Sequence, residues 1–258
     1  MSIDKIPGEI RQDTAAMNSA QALRKSVGAE KTPDNERVKD KVNISDGNLS
    51  SCPNEIKRKK WTVLAYINGK DGSLQHLAPS VLRELEVAGS DDNLNIVAQL
   101  SRQKTILDKF TGDWSGTRRY YVQRNTDPPT MQEEMMNWFI PPFTKNIVSP
   151  VADDLGDGVD AADPATINQF LEWGIKKYPA ENYAIIFYGQ GGGFAGVIAD
   201  AEKKTVLDGN QFADVIKKAS EKAGKPIDVV AVDGNFMSQL EVADKLKDSA
   251  KILVGSEG

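Results

Sequence analysis

From Trp61 onward the chain alternates between short unbroken apolar runs and stretches with helical spacing. Trp61–Ile67 (WTVLAYI) and Tyr183–Tyr188 (YAIIFY) are almost wholly apolar and rich in aromatic and β-branched residues, the pattern of strands covered on both faces. Leu94–Leu100, Arg118–Gln123, Ile227–Val232 and Lys251–Gly255 read as further strands, with Arg118–Gln123 paired to Leu94–Leu100. Between them, Leu74–Ala88 places Leu77, Val81, Leu82 and Leu85 on one helical face. A second helix starts at Asp163 as N-cap, with Pro164 at its first position, and runs to about Lys177, burying Ile167, Phe170, Leu171 and Trp173. Val206–Gly224 and Met237–Asp248 contain two more. Residues 125–165 read as irregular, apart from a short helix over Met131–Phe139.

Strands alternating with helices predict an α/β fold, a mostly parallel sheet with helices on both faces. Ligands of such sheets bind beyond the carboxyl ends of the strands. Two loops fall there: Gly189-Gln-Gly-Gly-Gly193 after one strand and Asp233-Gly-Asn-Phe236 after another. The glycine loop admits three readings: a phosphate cradle, a plain turn, or an oxyanion loop whose N–H groups face a reacting carbonyl. The dinucleotide pattern G-x-G-x-x-G fits it poorly. The second loop puts a small polar residue, Asn235, on a tight strand-to-helix corner, where a nucleophile would be held, with the acid Asp233 two residues before it.

Composition narrows the picture. The chain has 258 residues, 40% apolar and 27% charged, with a net charge of −5, which suits a globular domain and gives no ground for nucleic-acid binding. Residues 1–56 are polar and nearly free of aromatics, so they read as a poorly ordered tail ahead of one domain at 57–258, with a short helix near Thr14–Val27. The basic run Lys57–Lys60 reads as a solvated flank rather than a nucleic-acid patch. Residues 1–60 carry 12 Lys/Arg against 9 Asp/Glu and the remainder 20 against 28, so the domain is acidic; the excess could attract basic ligands, but it is modest and ordinary solubility is the favoured explanation.

Cys52 is the only cysteine, which excludes an intramolecular disulfide, and His76 is the only histidine. The first residues lack the apolar stretch of a secretory signal, and no run reaches the roughly 20 apolar residues of a membrane span. The expectation is therefore a cytoplasmic protein or one exported by a non-standard route, with no membrane partner. Oligomeric state is not set by the sequence. No cofactor is expected. The acidic stretch 153–160 admits calcium, but it lacks the EF-hand register and a terminal glutamate, which favours a solvated loop.

Tyr183–Phe194 and Val232–Val242 resemble two segments of the clostripain-type (C11) cysteine peptidases, relatives of caspases: a strand ending in His-Gly-Gly-Gly and a later strand ending in Asp-Ala-Cys-Leu-Met. The resemblance extends to Trp61–Leu74, Leu94–Arg102, Asp163–Tyr178 and Leu253–Glu257. It implies a caspase-like three-layer α/β/α domain, shortened on its C-terminal side. It also implies that Gln190 stands at the histidine position and Asn235 at the cysteine position, with Gly234 in place of alanine. A cysteine peptidase needs a thiolate and an imidazole that helps form it and later protonates the leaving amine. Neither a glutamine nor an asparagine amide does either.

By the same resemblance, Asp233 matches the acid that faces a basic side chain. The N–H groups of Gly191 and Asn235 match the oxyanion donors. Lys203 and Lys204 fall in the interval where relatives cut themselves. The reading is a pseudopeptidase that binds peptides or proteins with Arg or Lys, or serves as a scaffold. The alternatives are a family endopeptidase cutting after Arg or Lys, seen as a fragment or with its site altered on purpose, and a nucleotide-binding α/β domain.

Overall fold

The computed structural model describes residues 58–73, 75–104, 114–126 and 147–257. Residues 1–57, with the expected tail helix and Cys52, and the expected helix over Met131–Phe139 lie outside them.

Seven strands form the central sheet: β1 (Lys59–Gly69), β2 (Leu94–Arg102), β3 (Gly116–Tyr121), β4 (Val151–Gly156), β5 (Ala180–Gly191), β8 (Val229–Asn235) and β9 (Leu253–Gly255). Their spatial order is β4-β3-β2-β1-β5-β8-β9. The five strands from β2 to β9 in that order are parallel to one another. β3 and β4 are antiparallel to their inner neighbours. Two short strands, β6 (Ile198–Asp200) and β7 (Thr205–Leu207), make a separate antiparallel hairpin.

The unbroken apolar run of β1 has a direct cause. Leu64 and Tyr66 enter one core with Ile185, Phe187, Phe170 and Phe212, while Val63, Ala65 and Ile67 enter another with Leu82, Ile96 and Leu100. A strand with helices over both faces has no polar side to alternate with. Helices α2 (Pro164–Lys177), α3 (Gly209–Ala223) and α4 (Leu240–Leu246) supply the first core, and α1 (Ala78–Ala88) the second. Among the described residues no helix is long and apolar enough to cross a bilayer.

Several boundaries differ from the sequence reading, each for a local reason. β4 lies within the span read as irregular. Its residues, Val-Ala-Asp-Asp-Leu-Gly, are all at least partly exposed, so it carries no apolar signal. Charge holds it instead: Arg118 Nε donates to Asp154 at 2.8 Å, and Arg119 pairs with Asp153 at 3.6 Å. The helix expected from Val206 starts at Gly209, because Asp208 and Gln211 form a reciprocal capping box. The helix expected over Met237–Asp248 is limited to Leu240–Leu246.

On α1, Leu82 is buried as expected, and so are Arg83 and Glu86. One Glu86 carboxylate oxygen accepts hydrogen bonds from Val148 N, Ser149 N and Ser149 Oγ, which ties the strand-entry segment to the helix. Asp163 caps α2 by accepting from Ala165 N.

The amino end of the sheet is fastened by Asp228. Its carboxylate accepts from Tyr183 N at 3.0 Å, Lys225 Nζ at 2.7 Å and Lys251 Nζ at 2.7 Å. Burial works to raise this carboxyl, but these donors outweigh it and hold it below the usual Asp value. A carboxyl held low stabilises the fold above its unfolded value near ~3.9 and loses that contribution as pH falls through its folded value. Asp228→Asn should therefore cost about 1–3 kcal/mol at pH 7. In urea melts the gap from the parent protein should narrow below about pH 4; a gap that persists unchanged at pH 3 contradicts the assignment.

Candidate active site

The two strand-end loops meet. β5 and β8 are paired through most of their length, the register slips between Tyr188 and Gly191, and pairing resumes with Gly191 opposite Asn235. The approach depends on missing side chains. A Cβ on Gly191 would stand 2.4 Å from Asn235 N, and one on Gly234 would stand 2.8 Å from Gly189 O. Gly191 also has φ 68°, a conformation that favours glycine.

Gln190 is exposed and Asn235 half-buried, so the two amide residues flank adjoining backbones at the carboxyl rim of the sheet. The corner after Asn235 is tight: Phe236 has φ 60° and its ring is exposed. Two contacts brace this corner. Gln239 Oε1 accepts from Phe194 N at 3.1 Å, joining the glycine loop to the start of α4. Ser238 N donates to Ser256 O at 3.1 Å, joining it to the end of β9.

Asp233 is half-buried, and burial pushes its carboxyl above the usual Asp value. Among the described residues no donor hydrogen-bonds to it. It contrasts with Asp228, just before the start of the same strand, which accepts from three donors. The rim therefore brings two neutral amides, Gln190 and Asn235, beside one half-buried carboxylate, Asp233.

The other candidates are elsewhere. His76 is exposed in the turn before α1. Lys203 and Lys204 are exposed in the turn of the β6–β7 hairpin, Lys204 with φ 58°. In the acidic stretch, Asp153 and Asp154 face Arg119 and Arg118, Asp157 accepts from Ser115 Oγ, and Asp160 accepts from Thr205 Oγ1 and Ala162 N. Among the described residues no three His, Cys, Asp or Glu side chains gather as a metal-holding group. Sequence reasoning missed Lys70, which ends fully buried beside Asp200 and Glu202. Its position in Asn-Gly-Lys-Asp after a strand reads as a solvated turn, and nothing local marks it as interior. Two grooves, one between α2 and α3 and one between α3 and α4, are not lined by either loop.

The contact at Gly191 can be tested by itself. Gly191→Ala should destabilise the domain by about 2 kcal/mol or more, since the new methyl meets backbone rather than a movable side chain. Thermal melting reads this directly; a variant that melts with the parent shows that the loops do not approach as described.

Comparison with known proteins completes the picture. The clostripain family (peptidase C11) matches residues 65–258. A secreted C11 cysteine protease from Bacteroides thetaiotaomicron, solved in complex with an irreversible peptide inhibitor, has TM-score 0.54 and 17% identity, over 74% of this chain and 47% of that one. An inactive zymogen C11 protease from Parabacteroides distasonis has TM-score 0.51 and 17% identity, over 77% and 49%. The chain spans about half the length of these proteins. No curated protein matches it. The structural likeness carries the mostly parallel α/β architecture, and the family match covers most of the chain: this protein belongs to the clostripain family.

Proposed function

We propose that this chain is a non-catalytic clostripain-family protein that holds peptides or protein segments bearing an arginine or lysine. The observation that carries the reading is Asp233: a carboxylate kept partly out of water, with no donor of its own among the described residues, at the rim where the two loops meet. Leaving a carboxylate in that state costs stability, and a cationic side chain is the ligand that offsets the cost.

The chemistry of the neighbouring residues supports the absence of turnover. Gln190 and Asn235, which correspond by resemblance to the histidine and cysteine of active relatives, offer neither a nucleophile nor a group that titrates near neutral pH. Losing either removes most of the rate, and the second loss adds little, because such groups act as a unit. What remains is recognition. By resemblance Gly191 and Asn235 supply the donor to a peptide carbonyl, through whichever of their N–H groups the ladder between them leaves free, and the Asp233 carboxylate suits a guanidinium or ammonium.

Calorimetry with a short Arg-containing peptide tests the binding. The parent should bind, and Asp233→Asn should weaken binding about tenfold or more, the size of a charge-assisted hydrogen bond. Equal binding by both proteins, or none by the parent, overturns the reading. The pH dependence has a fixed sign. The bound cation favours the charged carboxylate, so affinity is full well above the free-state pKa of Asp233 and declines as pH falls through it. Prolonged incubation of the parent at neutral pH should leave one uncut chain by mass spectrometry. A cut after Lys203 or Lys204 that appears without added peptidase contradicts the non-catalytic assignment.

A further inference from the structure

Lys70 directly follows β1, with its side chain only 1% exposed. Four oxygens surround its ammonium: Val159 O at 2.8 Å, Glu202 Oε2 at 3.4 Å, Asp157 O at 3.5 Å and Asp200 Oδ2 at 4.0 Å. They come from two segments far apart in sequence, the loop between β4 and α2 and the β6–β7 hairpin. The backbone joins in, since Ala201 N donates to Lys70 O at 2.8 Å. Asp200, itself fully buried, accepts from Ala161 N at 3.0 Å and Lys203 N at 2.9 Å, and so ties the same two segments a second time.

We infer that Lys70 is a latch that holds the β6–β7 hairpin closed, and that the bond it guards against trypsin-type peptidases is the one after Lys203 or Lys204. The hairpin is weak by itself, with three residues in each strand. Its turn, Ala201–Lys204, is exposed and doubly basic, which makes it an attractive target. A peptidase needs several residues drawn out as an extended strand, whereas Lys204 sits at φ 58° inside a closed turn. Cleavage therefore requires the hairpin to open first.

Opening takes Asp200 and Glu202 away from a buried ammonium, which is left without its counter-charges. Hydration of Lys70 and release of the turn are thus one event. Asn68 Nδ2 to Ala199 O and Thr205 Oγ1 to Asp160 fasten the hairpin further, but neither carries a buried charge pair. The latch stands on these contacts and does not depend on the peptide-binding reading above.

Limited trypsin digestion of the full chain, followed by intact-mass analysis, is the test. Lys70→Met should speed the cut after Lys203 or Lys204 by about tenfold or more, because cleavage follows the population of the open hairpin. The cuts at Lys217 and Lys222 in α3 should keep their rate. Equal rates at the hairpin in parent and variant overturn the inference. If Lys70→Met accelerates every site alike, the variant has loosened the whole domain, and Glu202→Gln decides. That change removes the nearer carboxylate and leaves Asp200 in place. A rise confined to the 203–204 bond sustains the latch, and an unchanged rate there overturns it. Hydrogen exchange gives an independent readout: amides of Ile198–Leu207 should exchange faster in Glu202→Gln while those of β1 and β5 stay protected.

Discussion

Two backbones lie closer together at the rim of this sheet than any pair of residues with side chains would allow. Gly191 against Asn235, and Gly234 against Gly189, are contacts in which a methyl group would meet a peptide atom at under 3 Å. Everything proposed for the site depends on that approach. It extends the β5–β8 pairing past an irregularity in register and brings residues 45 positions apart in the chain onto one surface. Gln239 and Ser238 then brace the corner from either side, through the glycine loop and the end of β9. The glycines are a geometric requirement of the meeting loops, and their presence in the sequence needs no phosphate ligand to explain it.

Two carboxylates, one just before β8 and one near its end, are in opposite states. Asp228, at the amino end, is surrounded by donors and serves the fold. Asp233, at the carboxyl end, is desolvated and without a donor among the described residues, so the fold gains nothing from its charge. A family architecture does not by itself specify an activity. In this chain the rim sets one half-buried carboxylate, Asp233, beside two amide side chains, Gln190 and Asn235. Charge is used in a third way at Lys70, where an interior ammonium fastens two peripheral segments to the central strand.

Most of the sheet was legible in the sequence because strands buried on both faces have a plain apolar signature. Trp61–Ile67 and Tyr183–Tyr188 needed no further information. The Asp163 cap and the Pro after it marked the start of α2 for equally local reasons. What escaped was structure held by polar contacts between distant residues. β4 is an exposed edge strand whose aspartates pair with arginines more than 30 positions away. The β6–β7 hairpin has only three residues in each strand, too few for an apolar pattern, and Val206 and Leu207 read as the start of the helix that the Asp208–Gln211 box places at Gly209. The burial of Lys70 and Glu86 depends on partners from other segments, which no local pattern announces. At the site, the placement of both loops at one edge followed from strand order, whereas the desolvation of Asp233 emerged only in three dimensions.

The central claim is that the glycine loop and the Asp233 corner form one ligand site. Backbone amide shifts of the isotope-labelled full chain, followed while an arginine-containing peptide is added, address it most directly. The account predicts that the amides of Gly191–Phe194 and of Asp233–Phe236 move together along one saturable curve. Shifts confined to one loop, or gathered elsewhere on the molecule, would contradict it.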